Sequence, residues 1–100
     1  MTVTWGSYEF GIYSQADNWG DVAGIYIFAG KNQQGHWMAL YIGQANSFAQ
    51  RIPNHERWDE AARLGATHVH ACGVKSATDR GIIEEQLIGM YQPRLNVHHR

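Results

Sequence analysis

A chain of 100 residues holds one domain, residues 1–100, with a core large enough to fold alone, and its 44% apolar content, two prolines and absence of low-complexity tracts mark an ordinary globular protein. Eight basic against nine acidic side chains leave a net charge of −1, which excludes the broadly basic surface of a protein that binds nucleic acid through its overall field. No stretch reaches the roughly 20 apolar residues of a bilayer span, so no membrane partner is expected, and the single cysteine, Cys72, excludes an internal disulfide.

The lone cysteine fits a reducing compartment. "MTVTWGSYEF" has neither the basic region nor the apolar run of a secretory signal, so a cytoplasmic location is the expectation. Among the basic residues, six are arginine (51, 57, 63, 80, 94, 100) and only two, Lys31 and Lys75, are lysine. Arginine gives forked, bidentate recognition of phosphate and carboxylate. Phosphate binding in this chain would therefore be local, through a few guanidinium groups.

In chain order, residues 1–22 are aromatic and glycine-rich without clear periodicity and read as a loosely patterned lead-in. "GIYIFAG" is an apolar, β-branched strand, "KNQQGH" a polar turn, and "WMALYIG" a second strand, together an antiparallel hairpin. Asn46 or Ser47 caps a helix over "NSFAQRI", and Pro53 breaks it. Asn54 caps a second helical segment, "HERWDEAARLG", with Trp58, Ala61 and Ala62 on one face and Gly65 as its stop. "ATHVHACGVK" alternates with period two as a third strand. Ser76 or Thr78 caps "DRGIIEEQLIGMYQ", whose Ile83, Leu87, Met90 and Tyr91 form a stripe, and Pro93 ends it. The fold class is α+β: a small three-stranded antiparallel sheet flanked by helices, in the order ββααβα.

Gly-Ile-Tyr occurs twice, at Gly11–Tyr13 and Gly24–Tyr26. The first copy runs into the polar "SQADNW" and has no neighbouring strand in this reading, so it is taken as the inert copy. The second lies on a hairpin strand whose partner closes with Tyr41-Ile42-Gly43. Side chains alternate faces along a strand, so Ile25 and Ile27 point one way and Tyr26 the other, and Leu40 and Ile42 point one way and Tyr41 the other. Two phenols emerge together on one face of the hairpin.

These residues resemble the GIY-YIG nuclease superfamily, whose members include the N-terminal domain of the bacterial excision-repair nuclease and the catalytic domains of phage homing endonucleases. Arg51 stands ten residues after Tyr41, and His55 follows four residues later, at the position of a histidine found in part of the family. "EEQLIGMYQPRLN" fits the family's glutamate-x-x-Leu-Ile with Pro93 nine and Asn96 twelve residues after Glu84. The resemblance spans residues 23–97.

The resemblance implies a divalent-metal-dependent endonuclease that hydrolyses DNA phosphodiester bonds. Glu84 would hold one Mg²⁺ or Mn²⁺, Arg51 would brace the phosphate oxygens, and Tyr26, assisted by Tyr41, would act as general base. His55 would hydrogen-bond the reacting groups or serve as acid/base partner, and Asn96 would position the glutamate or the substrate backbone. Specificity would come from a homodimer, a partner protein, or tolerance of non-specific or structured DNA. The charge balance keeps a second reading open: a catalytically weak nucleic-acid-binding or protein-docking module on the same fold.

Plainer readings stand beside these. Paired strand tyrosines are usually packing residues. Glu84 lies one turn after Arg80, a spacing that fits a surface ion pair. His68, His70 and Cys72 share one strand face and offer three zinc donors, but a structural site wants four; His98 and His99 in the tail could complete it, though nothing in the sequence fixes them there, and "HHR" reads as a terminal tail with at most a phosphate contact.

Overall fold

A computed structural model of the chain describes residues 1–96. Strands β1 (Thr2–Trp5), β2 (Tyr8–Tyr13), β3 (Gly24–Lys31), β4 (Trp37–Ala45) and β5 (His68–Gly73) form one sheet, with helices α1 (Phe48–Arg51), α2 (Trp58–Arg63) and α3 (Ala77–Tyr91). The sheet has five strands in the order β1-β2-β5-β3-β4, and every neighbouring pair is antiparallel. The expected three-stranded sheet is present as β4-β3-β5. The lead-in corrects the expectation: it adds a hairpin, β1-β2, to the β5 edge. His98 and His99 lie outside the described residues, as does Val97 at the end of the 23–97 span.

The added hairpin follows from local chemistry. Gly6, at φ +61°, opens a two-residue Gly-Ser turn, and Trp5 and Phe10 on the two arms are buried. The inert Gly-Ile-Tyr is thus not without a strand partner: Gly11, Ile12 and Tyr13 pair with Ala71, His70 and Val69 of β5.

Both faces of the sheet are packed, so β3 is buried along Gly24–Gly30 and reads as an unbroken apolar run. One face carries Tyr26, Phe28, Val69 and Ala71 under Phe48 and Ile52, Ala61 of α2, and Leu95. The opposite face carries Ile25, Ile27 and Ile42 with Trp5, Phe10 and Leu87 of α3. Leu40 departs from the expected alternation. A register shift between Phe28 and Ala29 leaves it opposite no single partner, and it joins the tyrosine-side core.

Helix ends are largely set by the expected caps. Ser47 accepts from Gln50 N–H to start α1, and Ser76 accepts from Asp79 N–H to start α3. Asn54 does not cap α2; Arg57 occupies that position without a side-chain cap. Gly65, at φ +114°, takes the left-handed conformation just beyond α2. In α3, Leu87 is fully buried, but Met90 is 62% exposed. The stripe fails there, and Tyr91 instead accepts a hydrogen bond from Gly6 N–H at 2.7 Å and meets Trp5 edge-on.

His70 and its neighbours serve packing. Trp5 Nε1–H donates to His70 Nδ1 at 2.9 Å, and the Trp37 ring stands edge-to-face at 4.5 Å. Burial holds the imidazole at a pKa of about 4, with His68 adding a smaller effect. Among the described residues no three His, Cys, Asp or Glu side chains stand close enough to hold a metal, so the zinc reading of His68, His70 and Cys72 has no support there. Nor, among those residues, is any helix long and apolar enough to cross a membrane.

Candidate active site

The two glycines of the motif are fixed by close approach. A Cβ on Gly43 would stand 2.5 Å from the Tyr26 hydroxyl oxygen, because the Tyr26 ring leans across that residue. A Cβ on Gly24 would collide with the Cys72 carbonyl oxygen and come within 2.7 Å of the Phe48 ring. Tyr26 pairs with Gly43, and Tyr41 with Phe28, two residues along. Both phenol rings therefore occupy one face, 6.2 Å apart. That face is not open: Tyr26 is 1% exposed, covered by the helical side.

α1 ends at Arg51, and Ile52–His55 forms a tight turn in which His55 N–H donates to Ile52 C=O at 3.3 Å. Pro53 falls inside this turn, so Arg51 and His55 are brought together by a bend and not by a helical face. The backbone N–H of Arg57 donates to His55 Nδ1 at 3.0 Å. That lone pair is used, so the neutral ring carries its proton on Nε2. Nε2 lies 2.7 Å from the Tyr26 hydroxyl oxygen and donates to it. Burial, then the Arg51 charge, hold the imidazole at a pKa of about 4, so it is neutral near pH 7.

Burial also pushes the Tyr26 hydroxyl well above the usual tyrosine range; Tyr41 adds to this, while the Arg51 charge and hydrogen bond oppose it. Tyr41 is raised by burial too, with Arg51 opposing and Glu56 and Glu84 adding. Arg51 spends its fork on Glu56 through two bonds of 2.7 and 2.9 Å.

Beside this cluster, Gln44, Ala45, Asn46, Ser47, Gln50 and Arg51 line a cleft of about 350 Å³. Glu84 of α3 accepts from Gln44 Nε2 at 2.9 Å, which ties it to the cleft wall. Glu85 is exposed. The surface pair of Glu84 with Arg80 does not form: Arg80 is buried and donates to the Val74 and Lys75 carbonyls and to Asn46 Oδ1. Asn96 contacts neither glutamate. Its amide pairs with Ile42 backbone N–H and C=O at 2.8 and 2.9 Å, and Leu95 N–H donates to Leu40 C=O. The segment after α3 thus pins the outer edge of β4, and with it the strand carrying Tyr41 and Gly43.

Tyr26, Tyr41, Arg51 and His55 come together on one side of the sheet, and Glu84, on α3 at the other side, is linked to the cleft through Gln44. Sequence reasoning missed Gln44 and Glu56. Gln44 directly follows Gly43 and alternation places it on the Ile42 face, opposite Ile25 and towards α3; Glu56 is hidden by the turn that brings it back to Arg51. The lead-in was also missed as a support: α1's first N–H groups, of Phe48 and Ala49, donate to Val22 and Gly20 C=O at 2.8 and 3.0 Å, and Gln15 Nε2 donates to Ile52 and Pro53 C=O.

No protein-family model matches the chain, and neither does any curated protein. Solved structures do match. The GIY-YIG N-terminal endonuclease domain of UvrC from Thermotoga maritima, bound to magnesium as its catalytic divalent cation, superposes with a TM-score of 0.64 at 25% identity, covering 79% of this chain and 88% of that one. A point mutant of that domain, also with its catalytic divalent cation, gives 0.63 at 27% identity over 80% and 88%. A second point mutant gives 0.65 at 25% identity with the same coverage. In fold and in the order of its landmarks, the chain is similar to the GIY-YIG endonuclease domain.

Proposed function

We propose that the protein is a divalent-metal-dependent endonuclease that hydrolyses DNA phosphodiester bonds. The observation that carries this reading is the convergence of Tyr26, Tyr41, Arg51 and His55 beside a cleft lined by Arg51 and Gln44, with Glu84 hydrogen-bonded to Gln44. The likeness to a magnesium-bound endonuclease domain supports it.

Glu84 fits a hard cation. Its carboxylate is half-buried and oriented by Gln44, and a single carboxylate suits Mg²⁺, which keeps most of its waters. When bound, that cation supplies Lewis-acid stabilisation of the phosphate and leaving oxygens.

The chain's own residues divide the remaining work. Arg51 presents two N–H donors in parallel, the geometry that braces non-bridging phosphate oxygens. His55 Nε2–H donates to the Tyr26 oxygen and, because Nδ1 is occupied by Arg57 N–H, the neutral ring does not take the phenol's proton. Its role is to favour the phenolate and to leave the Tyr26 proton facing elsewhere. As phenolate, Tyr26 removes a proton from the attacking water; the water oxygen bonds to phosphorus as the P–O bond to the leaving strand breaks. Tyr41 lies beside Tyr26 to orient that water. Asn96 acts at one remove by holding β4. Because burial raises both phenols, the rate of cleavage climbs with pH through the neutral and mildly alkaline range.

Plasmid nicking tests the proposal. Wild type should nick supercoiled DNA with Mg²⁺ or Mn²⁺ and not with EDTA, and Glu84→Ala should abolish nicking. The net charge of −1 favours a second reading, a docking module that binds without cutting. DNA binding with no cleavage of duplex, nicked, branched or single-stranded substrates by wild type would establish it instead.

A further inference from the structure

The Arg51–Glu56 pair has the form of a substrate contact. The two guanidinium Nη atoms each donate to one carboxylate oxygen, at 2.7 and 2.9 Å, the fork-to-fork arrangement arginine also makes with phosphate. The Arg51 side chain borders the cleft and is 37% exposed, whereas Glu56 is 66% exposed. A side chain so open to water swings away at little cost.

The pair is not needed to hold its turn. His55 N–H to Ile52 C=O, Trp58 N–H to His55 C=O at 3.2 Å, and Gln15 Nε2 to Ile52 and Pro53 C=O already fix it. Nor is it an ordinary helical pair like Arg57–Glu60, which is spaced i, i+3. Glu56 reaches Arg51 only because the Pro53 turn returns it to the end of α1.

We propose that Glu56 occupies the phosphate site of the resting protein, and that a DNA phosphate docks on Arg51 by displacing it. This rests on the nuclease reading for its biological sense, though the displacement itself requires only that a phosphate bind. Glu56 is then a positioning residue. It keeps the Arg51 fork aimed at the cleft, and it makes docking conditional on a ligand that replaces a carboxylate with something better. Hydrogen bonding from Arg51 holds the Glu56 carboxyl at a pKa of about 2, so the placeholder stays charged at every working pH and is removed by competition.

The test is a binding cycle in EDTA, where no cleavage intervenes. Fluorescence anisotropy of a labelled short duplex would give Kd for wild type, Glu56→Gln, Arg51→Ala and the double variant, with Asp59→Asn as a control for loss of one exposed negative charge. Glu56→Gln should tighten binding about two- to fivefold, the range of an exposed ion pair. Asp59→Asn should do less, and Glu56→Gln should do no more than that control in the Arg51→Ala background. Inorganic phosphate, followed by the Arg51 Nε–H NMR shift, should perturb Glu56→Gln at lower concentration than wild type. An unchanged or weaker Kd in Glu56→Gln, a gain that persists without Arg51, or failure of both proteins to bind duplex and phosphate would overturn the proposal. If the nuclease reading alone is wrong, the cycle still closes as predicted while Mg²⁺ produces no cleavage.

Discussion

The two Gly-Ile-Tyr tripeptides lie on strands that flank β5 from either side, Tyr13 opposite Val69 and Tyr26 opposite Ala71. Because Val69 and Ala71 share a face, so do the two tyrosines. Their surroundings differ. Tyr13 folds back over its own strand's glycine, with its hydroxyl 2.6 Å from where a Gly11 Cβ would be, and is 43% exposed at a shallow cavity of about 210 Å³ shared with Trp19 and Asp17. Tyr26 leans across to the neighbouring strand's Gly43 and ends buried against His55. The two identical tripeptides thus differ in what surrounds them: only the second has a neighbouring strand's glycine to lie on and a turn that supplies a hydrogen-bonding partner.

The largest effect that would sharpen this contrast is at the cleft wall. Glu84→Ala should lower single-turnover cleavage by about 10³-fold or more, while Glu85→Ala stays within about threefold; the reverse pattern would assign the metal to the wrong carboxylate. Next is Gly43→Ala, whose added methyl must displace the Tyr26 hydroxyl. A shift of that kind should cost about 10²-fold in rate, with thermal denaturation showing that the fold persists. His55→Gln should cost about tenfold and move the alkaline limb of the pH–rate profile upward, since a weaker donor supports the phenolate less; an unmoved limb would detach His55 from Tyr26.

The smallest effect is on stability. His55 and His70 both titrate near 4 when folded, below the ordinary value of 6.5. The unfolded chain therefore binds protons first as pH falls, so their contribution is present above pH 6.5 and is lost between 6.5 and 4. Chemical denaturation across that window should show a loss of up to about 3 kcal/mol for each histidine, and a flat profile would contradict their buried, neutral state.

Much of this was legible in the sequence because the signals were local. The hairpin β3–β4, the Ser47 and Ser76 caps and the stop at Gly65 each follow from a few adjacent residues. The ordered spacing of Tyr26, Tyr41, Arg51, Glu84 and Asn96 carried the family. What escaped was non-local or masked. β1 and β2 were signalled by Gly6-Ser7 between two alternating arms, but the aromatic and glycine content of that stretch hid the period. The bulge that turns Leu40 to the tyrosine side leaves no local mark. Asn96 was linked to the glutamate by its place in the pattern, yet its amide spends its bonds on Ile42, a contact 54 residues away in sequence. Glu56 and Gln44 became visible only once a turn and a cleft had been built.

Single-turnover cleavage with Mg²⁺ at saturating enzyme, comparing wild type, Tyr26→Phe and Tyr13→Phe, tests the central claim most directly. Tyr26→Phe should lose about 10²- to 10⁴-fold and Tyr13→Phe should stay within about threefold of wild type. Equal losses in the two variants, or full activity in Tyr26→Phe, would contradict the assignment of the chemistry to the second tripeptide.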